Sequence, residues 1–480
     1  MVSELLLNDG IAETRVALLR DGQLDDLIVE RRDRPSIVGQ LFFGRVTRVL
    51  PGIDVAFVDI GTGHDGFLRA TDAQYARAES EGHNTQRGIT RRVAEGEAIV
   101  VQIVADAYAD KGPRLTTDIL LPGRFVVYAP YRDMLSVSRR IEDEDERNRL
   151  QDVVDEAGDA AELDGGFIVR TAASRVGDRN IADEIERIGR GWHEIRSRRD
   201  EGDAPLVLRD ADDPLVAAVR DFAGPAIERI VVDTQDGYNR AKRYLDEAMP
   251  GFANQLLRHT DPRGLFGSDV EGEITAALNP FAPLPSGGSL VIEPTTALTT
   301  VDVNSGGGSG TGSAEETNRE AAAELARQMR LRNLSGTFVV DFIHMGDGRK
   351  IGSVIDTLRR SLSRDRMQHR IGDLSRLGLL ELTRRRVRQS LAESLCDAPT
   401  AETAPRRAEA VAAEVLRQAE AEGLANATGA LKLKVSTDVA AVLENKASQF
   451  LDHLRERTGK VADVEIDDRR GRDAFDVAVN

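Results

Sequence analysis

Cysteine is almost missing from this 480-residue chain: Cys396 stands alone. A single thiol excludes an internal disulfide and any four-cysteine zinc site within one chain, and it fits a reducing cytosol. The opening segment, Met1-Val-Ser-Glu-Leu-Leu-Leu-Asn-Asp9, lacks a basic stretch followed by a long apolar one, so no signal peptide is expected. Apolar runs long enough to span a bilayer are also lacking, which points to a cytoplasmic protein with no membrane partner. Positive charge is short as well: 64 lysines and arginines face 81 aspartates and glutamates, a formal net charge of −17. Taken alone, that argues against a polyanionic partner. What remains is ample for folding. The hydrophobic fraction of 41% supplies cores, the charged fraction of 30% supplies solvated surface, and the length exceeds one typical domain.

The charge is unevenly spread. Acids crowd residues 141–164, beginning with Glu142-Asp-Glu-Asp-Glu146. Residues 359–388 instead hold ten arginines against Asp365, Asp373 and Glu381, a local excess of seven positive charges. That segment reads as helix. A run of this kind is either a solvated helix face or a local field that draws a polyanion, and the second reading is favoured because the local field outweighs net charge at a cleft.

The most informative stretch is 289–345. Two apolar runs of strand character each carry one aspartate, Asp302 in Thr-Thr-Val-Asp-Val-Asn304 and Asp341 in Thr-Phe-Val-Val-Asp. A carboxylate buried in such a run is costly unless paired, and a metal ion is the usual reason to keep two. Asp302 and Asn304 are two apart and share a strand face, while Val301 and Val303 face the other way. Ser313-Ala-Glu-Glu316 reads as a capping box that opens a helix. Ala322, Leu325, Ala326 and Met329 follow at helical spacing. Gly336 is expected to close that helix. Together these suggest a magnesium site that cleaves a phosphodiester. His344 falls on the opposite face from Asp341 if the strand continues, and is read as a hydrogen-bonded structural histidine.

Elsewhere the chain reads as an α+β multidomain protein. Residues 1–34 suggest a hairpin turning at Asp21-Gly22, which should complete a sheet formed elsewhere because a lone hairpin is marginal. Residues 35–118 carry short strands separated by turns, as in a small OB-type barrel, with Ala56, Val58 and Ile60 inward. Phe57 then points outward, where it either stacks a nucleobase or packs against a neighbouring domain; Phe67 has the same two readings. On the strand at 167–171, Arg170 and Thr171 are suited to hold a phosphate by charge and hydroxyl hydrogen bond, although an isolated pair of this kind is more often a surface salt bridge. Residues 211–285 read as mainly helical with one strand at 229–233. A linker at 391–405 leads to a small α+β domain at 406–480. The run Gly306-Gly-Gly-Ser-Gly-Thr-Gly-Ser313 lacks the Lys-Ser/Thr ending of a P-loop and reads as a flexible active-site loop.

These residues resemble the ribonuclease E/G family. The resemblance rests on Val38-Gly39 to Phe67, Val169-Arg170-Thr171-Ala172, Leu284-Pro-Ser-Gly-Gly288, Ala297 to Asp302-Val-Asn304-Ser, Thr317 to Arg332, Val340-Asp341-Phe-Ile, and Leu374-Ser-Arg-Leu-Gly-Leu-Leu-Glu381. Length and opening residues are closer to ribonuclease G. The resemblance implies an endoribonuclease that cuts single-stranded AU-rich RNA, such as rRNA precursors or mRNA, leaving 5′-phosphate and 3′-hydroxyl ends. It implies that Asp302 and Asp341 bind one Mg²⁺ and that Asn304 holds the scissile phosphate. Phe57, Phe67 and Lys111 correspond to RNA-binding positions of an S1-type OB barrel (35–118). Gly123, Val127, Arg170 and Thr171 correspond to a 5′-phosphate sensor (119–210). The implied architecture has an RNase H-like subdomain formed by 1–34 and 211–275 and a DNase I-like catalytic subdomain at 276–390.

Several positions depart from the family pattern. The family links protomers through zinc held by a Cys-x-x-Cys pair from each chain, and Cys396 alone makes zinc unexpected; a homodimer or higher homo-oligomer would form without it. Gln368 replaces a basic residue of the 5′-phosphate pocket. Thr296 and His344 replace acids, and Asn279-Pro-Phe-Ala-Pro283 replaces a usually basic stretch. The competing reading is a divergent, weakly active or non-catalytic RNA-binding member of the family. Asp302, Asn304 and Asp341 together argue against it.

Overall fold

The computed structural model describes residues 3–76, 88–108, 111–261, 264–306, 313–346, 348–397, 405–446 and 448–480. Most of the glycine-rich run (307–312) and of the linker (398–404), both interpreted above from sequence, lie outside the described residues. The chain forms two compact units, each discontinuous in sequence. One comprises residues 1–35, 226–238 and 255–480, and the other residues 36–225 and 239–254.

In the first unit, the N-terminal hairpin does complete a larger sheet. Glu13–Arg20 and Gln23–Arg31 pair across a two-residue turn in which Asp21 and Gly22 both take positive φ (49° and 80°), as a tight right-twisting hairpin requires. Two strands beyond those read from the sequence extend it. Ser3–Asp9 lies at the centre of the five-stranded sheet, parallel to Arg229–Val232, which is parallel in turn to Leu256–Arg258.

The same unit holds a six-stranded mixed sheet in the spatial order Phe281–Pro283, Ser289–Pro294, Thr299–Asn304, Gly336–Asp341, Leu379–Arg384, His369–Leu374. Thr299–Asn304 and Gly336–Asp341 are parallel, joined by the helix Ala314–Leu331. This is the strand–helix–strand crossover that parallel pairing demands. Ala322, Leu325, Ala326 and Met329 are all fully buried against one sheet face, where Val301, Val303, Phe338, Val340, Leu380 and Leu382 meet them. A second helix, Gly348–Leu362, covers the rest of that face through Val354, Leu358 and Leu362.

Three local expectations change. Half of the capping box forms: the Ser313 hydroxyl accepts from the Glu316 N–H at 3.2 Å. The left-handed residue after this helix is Asn333 (φ 47°), whereas Gly336 (φ 99°) opens the next strand. The arginine-rich segment is only in part helical. Its helix ends at Leu362, and an antiparallel pair, His369–Leu374 with Leu379–Arg384, follows. Alternating Leu380, Leu382 and Arg384 fit a strand with one buried face, and the arginine density masked that period of two. A helical turn, Leu391–Leu395, is opened by a full capping box between Ser390 and Glu393. Residues 408–480 form a three-stranded sheet with Leu431–Val435 in the middle, packed on the helix Ala408–Ala425.

In the second unit, Leu41–Leu50, Val55–Asp59, Gly66–Arg69, Arg114–Thr116 and Ala98–Ala105 close into a five-stranded barrel of OB type, because the last strand pairs back to the first. Ala56, Val58 and Ile60 are in its core. Gly66 is required where it stands: a Cβ there would lie 2.5 Å from the Leu115 side chain. A four-stranded sheet containing Val126–Ala129 and Gly166–Val169 follows, packed by the helices Glu144–Ala160 and Asp178–Glu201.

Candidate active site

Parallel pairing sets Asp302 directly opposite Asp341. Neighbouring strands lie about 4.8 Å apart, so the two carboxylates stand side by side on one sheet face. Asn304, two residues along the same face, donates from Nδ2 to Asp302 Oδ2 at 3.0 Å. Both aspartates are exposed, which corrects the burial expected from their apolar neighbours. Alternation is the reason: Val301, Val303 and Val340 take the helix-covered face, and the acids take the open one.

Two turns support this row. Gly288 lies so close to the end of the Asp302 strand that a Cβ would come within 2.5 Å of Asn304 O. Just beyond Asn304, Gly306 (φ 76°) leaves 2.3 Å between an added Cβ and Gly287 O. The helix Ala314–Leu331 grips both sides of the site. Glu320 Oε2 accepts from Ser286 N–H at 2.9 Å. Fully buried Asn318 makes a two-bond clamp with Ile343, donating to its carbonyl at 2.8 Å and accepting from its N–H at 3.0 Å. That fixes the segment leaving Asp341. Asn318 and Glu320 were missed from the sequence, where they read as ordinary helix positions and nothing marks their partners Ile343 and Ser286. His344 lies past the strand end and is exposed, so neither the alternation argument nor a structural role applies to it. Thr296 is exposed in the turn between strands, and Gln368 is exposed, with its carbonyl accepting from Arg385 N–H.

The ten arginines divide. Arg384 is buried, with Nε 2.6 Å from Asp365 Oδ2 and Nη1 2.8 Å from the Leu334 carbonyl. Arg386 pairs with Glu393 at 2.7 Å. Arg359 and Arg360 instead line a shallow open groove with Arg349, Gly352, Ser353 and Asp356. Beneath the sheet, Arg332 Nη1 donates to Asn279 O at 2.6 Å, and burial pulls its guanidinium down to about 10.

In the second unit, Phe57 and Phe67 are cross-strand partners on the outside of the barrel. Their rings are half-buried and edge to face, 6.0 Å between centroids, and the Arg69 guanidinium lies 5.6 Å from the Phe67 ring centre. Lys111 is exposed, two residues before Pro113, whose carbonyl accepts from Phe67 N–H.

The positions matched to a 5′-phosphate sensor form a second cluster. Glu184, buried, accepts three backbone N–H bonds from Arg124, Phe125 and Val126 at 2.7–3.0 Å. Gly123 sits against that carboxylate; a Cβ would lie 2.4 Å from Oε1. The strand ends at Val169, so Arg170 and Thr171 enter a turn. Arg170 donates to Gly123 O at 2.7 Å and pairs with Asp221 at 3.2 Å. Thr171 Oγ1 and Ser138 Oγ are 2.9 Å apart, and Val127 is half-buried on the neighbouring strand. Arg124, not singled out from the sequence, is beside them. Burial, and after it the nearby Arg170 charge, holds its guanidinium below the usual arginine range. Two guanidiniums sharing so few acids suit an added anion.

Residues 120–387, more than half of the chain, match the Ribonuclease E/G family. The chain is 36% identical to Ribonuclease G of Escherichia coli strain K12, with both chains covered completely. The chain belongs to the ribonuclease E/G family. Among its other relatives within the family are Ribonuclease G of Haemophilus influenzae, 36% identical over 99% of each chain, and Ribonuclease E of a Nostoc species, 38% identical over 79% of this chain and 56% of the relative. The family match spans the carboxylate row, the clamp residues and the Arg170 cluster. The barrel lies before residue 120 and is covered by the full-length Ribonuclease G relatives.

Proposed function

We propose that this endoribonuclease cleaves single-stranded, AU-rich RNA with Mg²⁺, leaving 5′-phosphate and 3′-hydroxyl ends, and acts on rRNA precursors and mRNA in the cytoplasm. The observation that carries this reading is the pairing of Asp302 with Asp341, with Asn304 hydrogen-bonded beside them. The donor set fits the ion. Two adjacent carboxylates are hard oxygen ligands, and Mg²⁺ is commonly held by one or two carboxylates together with substrate phosphate. Among the described residues no group of three or more His, Cys, Asp or Glu is placed to hold a metal, so substrate oxygens would complete the shell. Asp302 and Asp341 would hold Mg²⁺, which supplies Lewis acidity that acidifies water and offsets charge on the phosphorane.

The chain's own groups then divide the remaining work. Asn304 orients the scissile phosphate through its amide, and Asn318 keeps the Asp341 segment in place. Phe57 and Phe67 offer ring surface to unpaired bases, and Lys111 offers charge to the phosphates between them. Gly123, Val127, Arg170 and Thr171 form a pocket for a 5′-monophosphate, in which the phosphate adds to guanidinium donors beyond those Asp221 takes. The barrel and the mixed sheet support the S1-type and DNase I-like assignments of residues 35–118 and 276–390. The five-stranded sheet supports an RNase H-like reading of the N-terminal hairpin and its partners. A homodimer or larger homo-oligomer without a zinc link completes the proposal.

Incubating a short 5′-monophosphorylated AU-rich RNA with the protein, with Mg²⁺ and with EDTA, tests the reading. Cleavage is expected only with Mg²⁺, giving products whose new 5′ ends can be ligated directly. Undiminished cleavage in EDTA, or cyclic-phosphate ends, contradicts it.

A further inference from the structure

The cross-strand row that carries the carboxylates continues past them. Asp302 is paired with Val291, and Val291 with Phe281 on the edge strand. Directly paired residues project from the same sheet face. Their neighbours Ala282, Leu290 and Val301 are buried in the helix-covered core, so Phe281, Val291, Asp302 and Asp341 all rise from the open face. Two strand spacings separate Phe281 from Asp302, about 10 Å between backbones.

Phe281 is 56% exposed. The core beneath is already filled by Ala282, 1% exposed, so packing does not account for the ring. Its backbone is held at both ends: Pro280 O accepts from Ile292 N–H at 2.9 Å, and Leu284 N–H donates to Gly288 O at 2.9 Å. Prolines at 280 and 283 stiffen the strand further. An aromatic fixed on a rigid edge loses little freedom on binding, and half-buried Val291 extends an apolar floor from the ring towards the acids. This is also the stretch where Asn279-Pro-Phe-Ala-Pro283 stands in place of a usually basic one.

We propose that Phe281 is a nucleobase-stacking subsite of the active centre, seating the base of a nucleotide next to the scissile phosphate. This inference rests on the assignment of Asp302 and Asp341 as the cleaving pair. A phenyl face accepts any base and favours those with the larger ring system, so the subsite selects by stacking rather than by hydrogen-bond readout.

Short single-stranded RNAs carrying 2-aminopurine at successive positions around the cleavage site test it. Asp302→Asn protein, which binds without cutting, is expected to quench the probe at one position. The quench should vanish with Phe281→Ala or Phe281→Leu added and persist with Phe281→Tyr. In otherwise wild-type protein, Phe281→Ala should lower kcat/KM on the order of tenfold for a purine at that position, and far less when that nucleotide is abasic. An unchanged quench in the Ala and Leu variants, or equal losses on the purine and abasic substrates, overturns the subsite. Continued cleavage by Asp302→Asn protein, read on a gel, overturns instead the active-site assignment beneath it.

Discussion

Asp302 and Asp341 were legible as a pair because acids are rare in runs of valine, threonine and phenylalanine. Their setting was not. Burial was expected, and the structure exposes both, since a period of two gives the valines one face and the acids the other. What sets the two acids side by side is therefore register, which a sequence conceals: thirty-eight residues lie between them, and the intervening helix returns the chain so that they come level. Asn318 was hidden for a related reason, as a polar residue inside a helix declares nothing until its partner Ile343 is known. Arg170 was legible as suited to a phosphate but, as an isolated pair with Thr171, more often a surface salt bridge; the structure pairs it with Asp221, a partner the sequence did not name. Arg170→Ala is expected to erase any preference for 5′-monophosphate over 5′-hydroxyl RNA while leaving cleavage of the 5′-hydroxyl substrate near wild type. Initial rates on the two substrates check this; a preserved preference places the sensor elsewhere.

At the scale of elements, the helix Ala314–Leu331 and the barrel strands followed from hydrophobic periodicity, whereas the arginine-rich segment did not. Ten arginines in a row of thirty residues suggest one basic face. Folded, some are structural and some open. Arg384 and Asp365 have side chains only 4% and 2% exposed, so Arg384→Ala strands a buried carboxylate and should cost about 3–5 kcal/mol in urea unfolding. Replacing Arg359 and Arg360 together by Ala should change stability by less than about 0.5 kcal/mol. It should instead flatten the salt dependence of single-stranded RNA binding, lowering the slope of log K against log salt by about 1.4 if both contact phosphates. Equal destabilisation by the two sets, or an unchanged slope, contradicts this division. The strands Ser3–Asp9 and Leu256–Arg258 escaped notice: Ser3–Asp9 pairs with neighbouring Glu13–Arg20 as well as with distant Arg229–Val232, and Leu256–Arg258 is only three residues long.

At the scale of the molecule, composition was a poor guide to the partner. The net charge of −17 pointed away from nucleic acid, yet the carboxylate row, the outer face of the barrel and the Arg124–Arg170 cluster each concentrate a local chemistry the sum hides. The resemblance already joined residues 1–34 to 211–275, but it did not separate 226–238 from 239–254, which pass to different units without any composition break. Cys396 remains informative. It is 4% exposed, and burial pushes its thiol up, which leaves it a poor metal ligand. Metal analysis of the purified protein should find no stoichiometric zinc; one zinc per two chains would contradict this. The account as a whole depends on the row that sets Asp302 against Asp341. The most direct test measures cleavage and binding of one short AU-rich RNA by wild-type, Asp302→Asn and Asp341→Asn proteins in Mg²⁺. Both variants should lose cleavage and keep RNA affinity within a few-fold; undiminished cleavage by either would contradict the account.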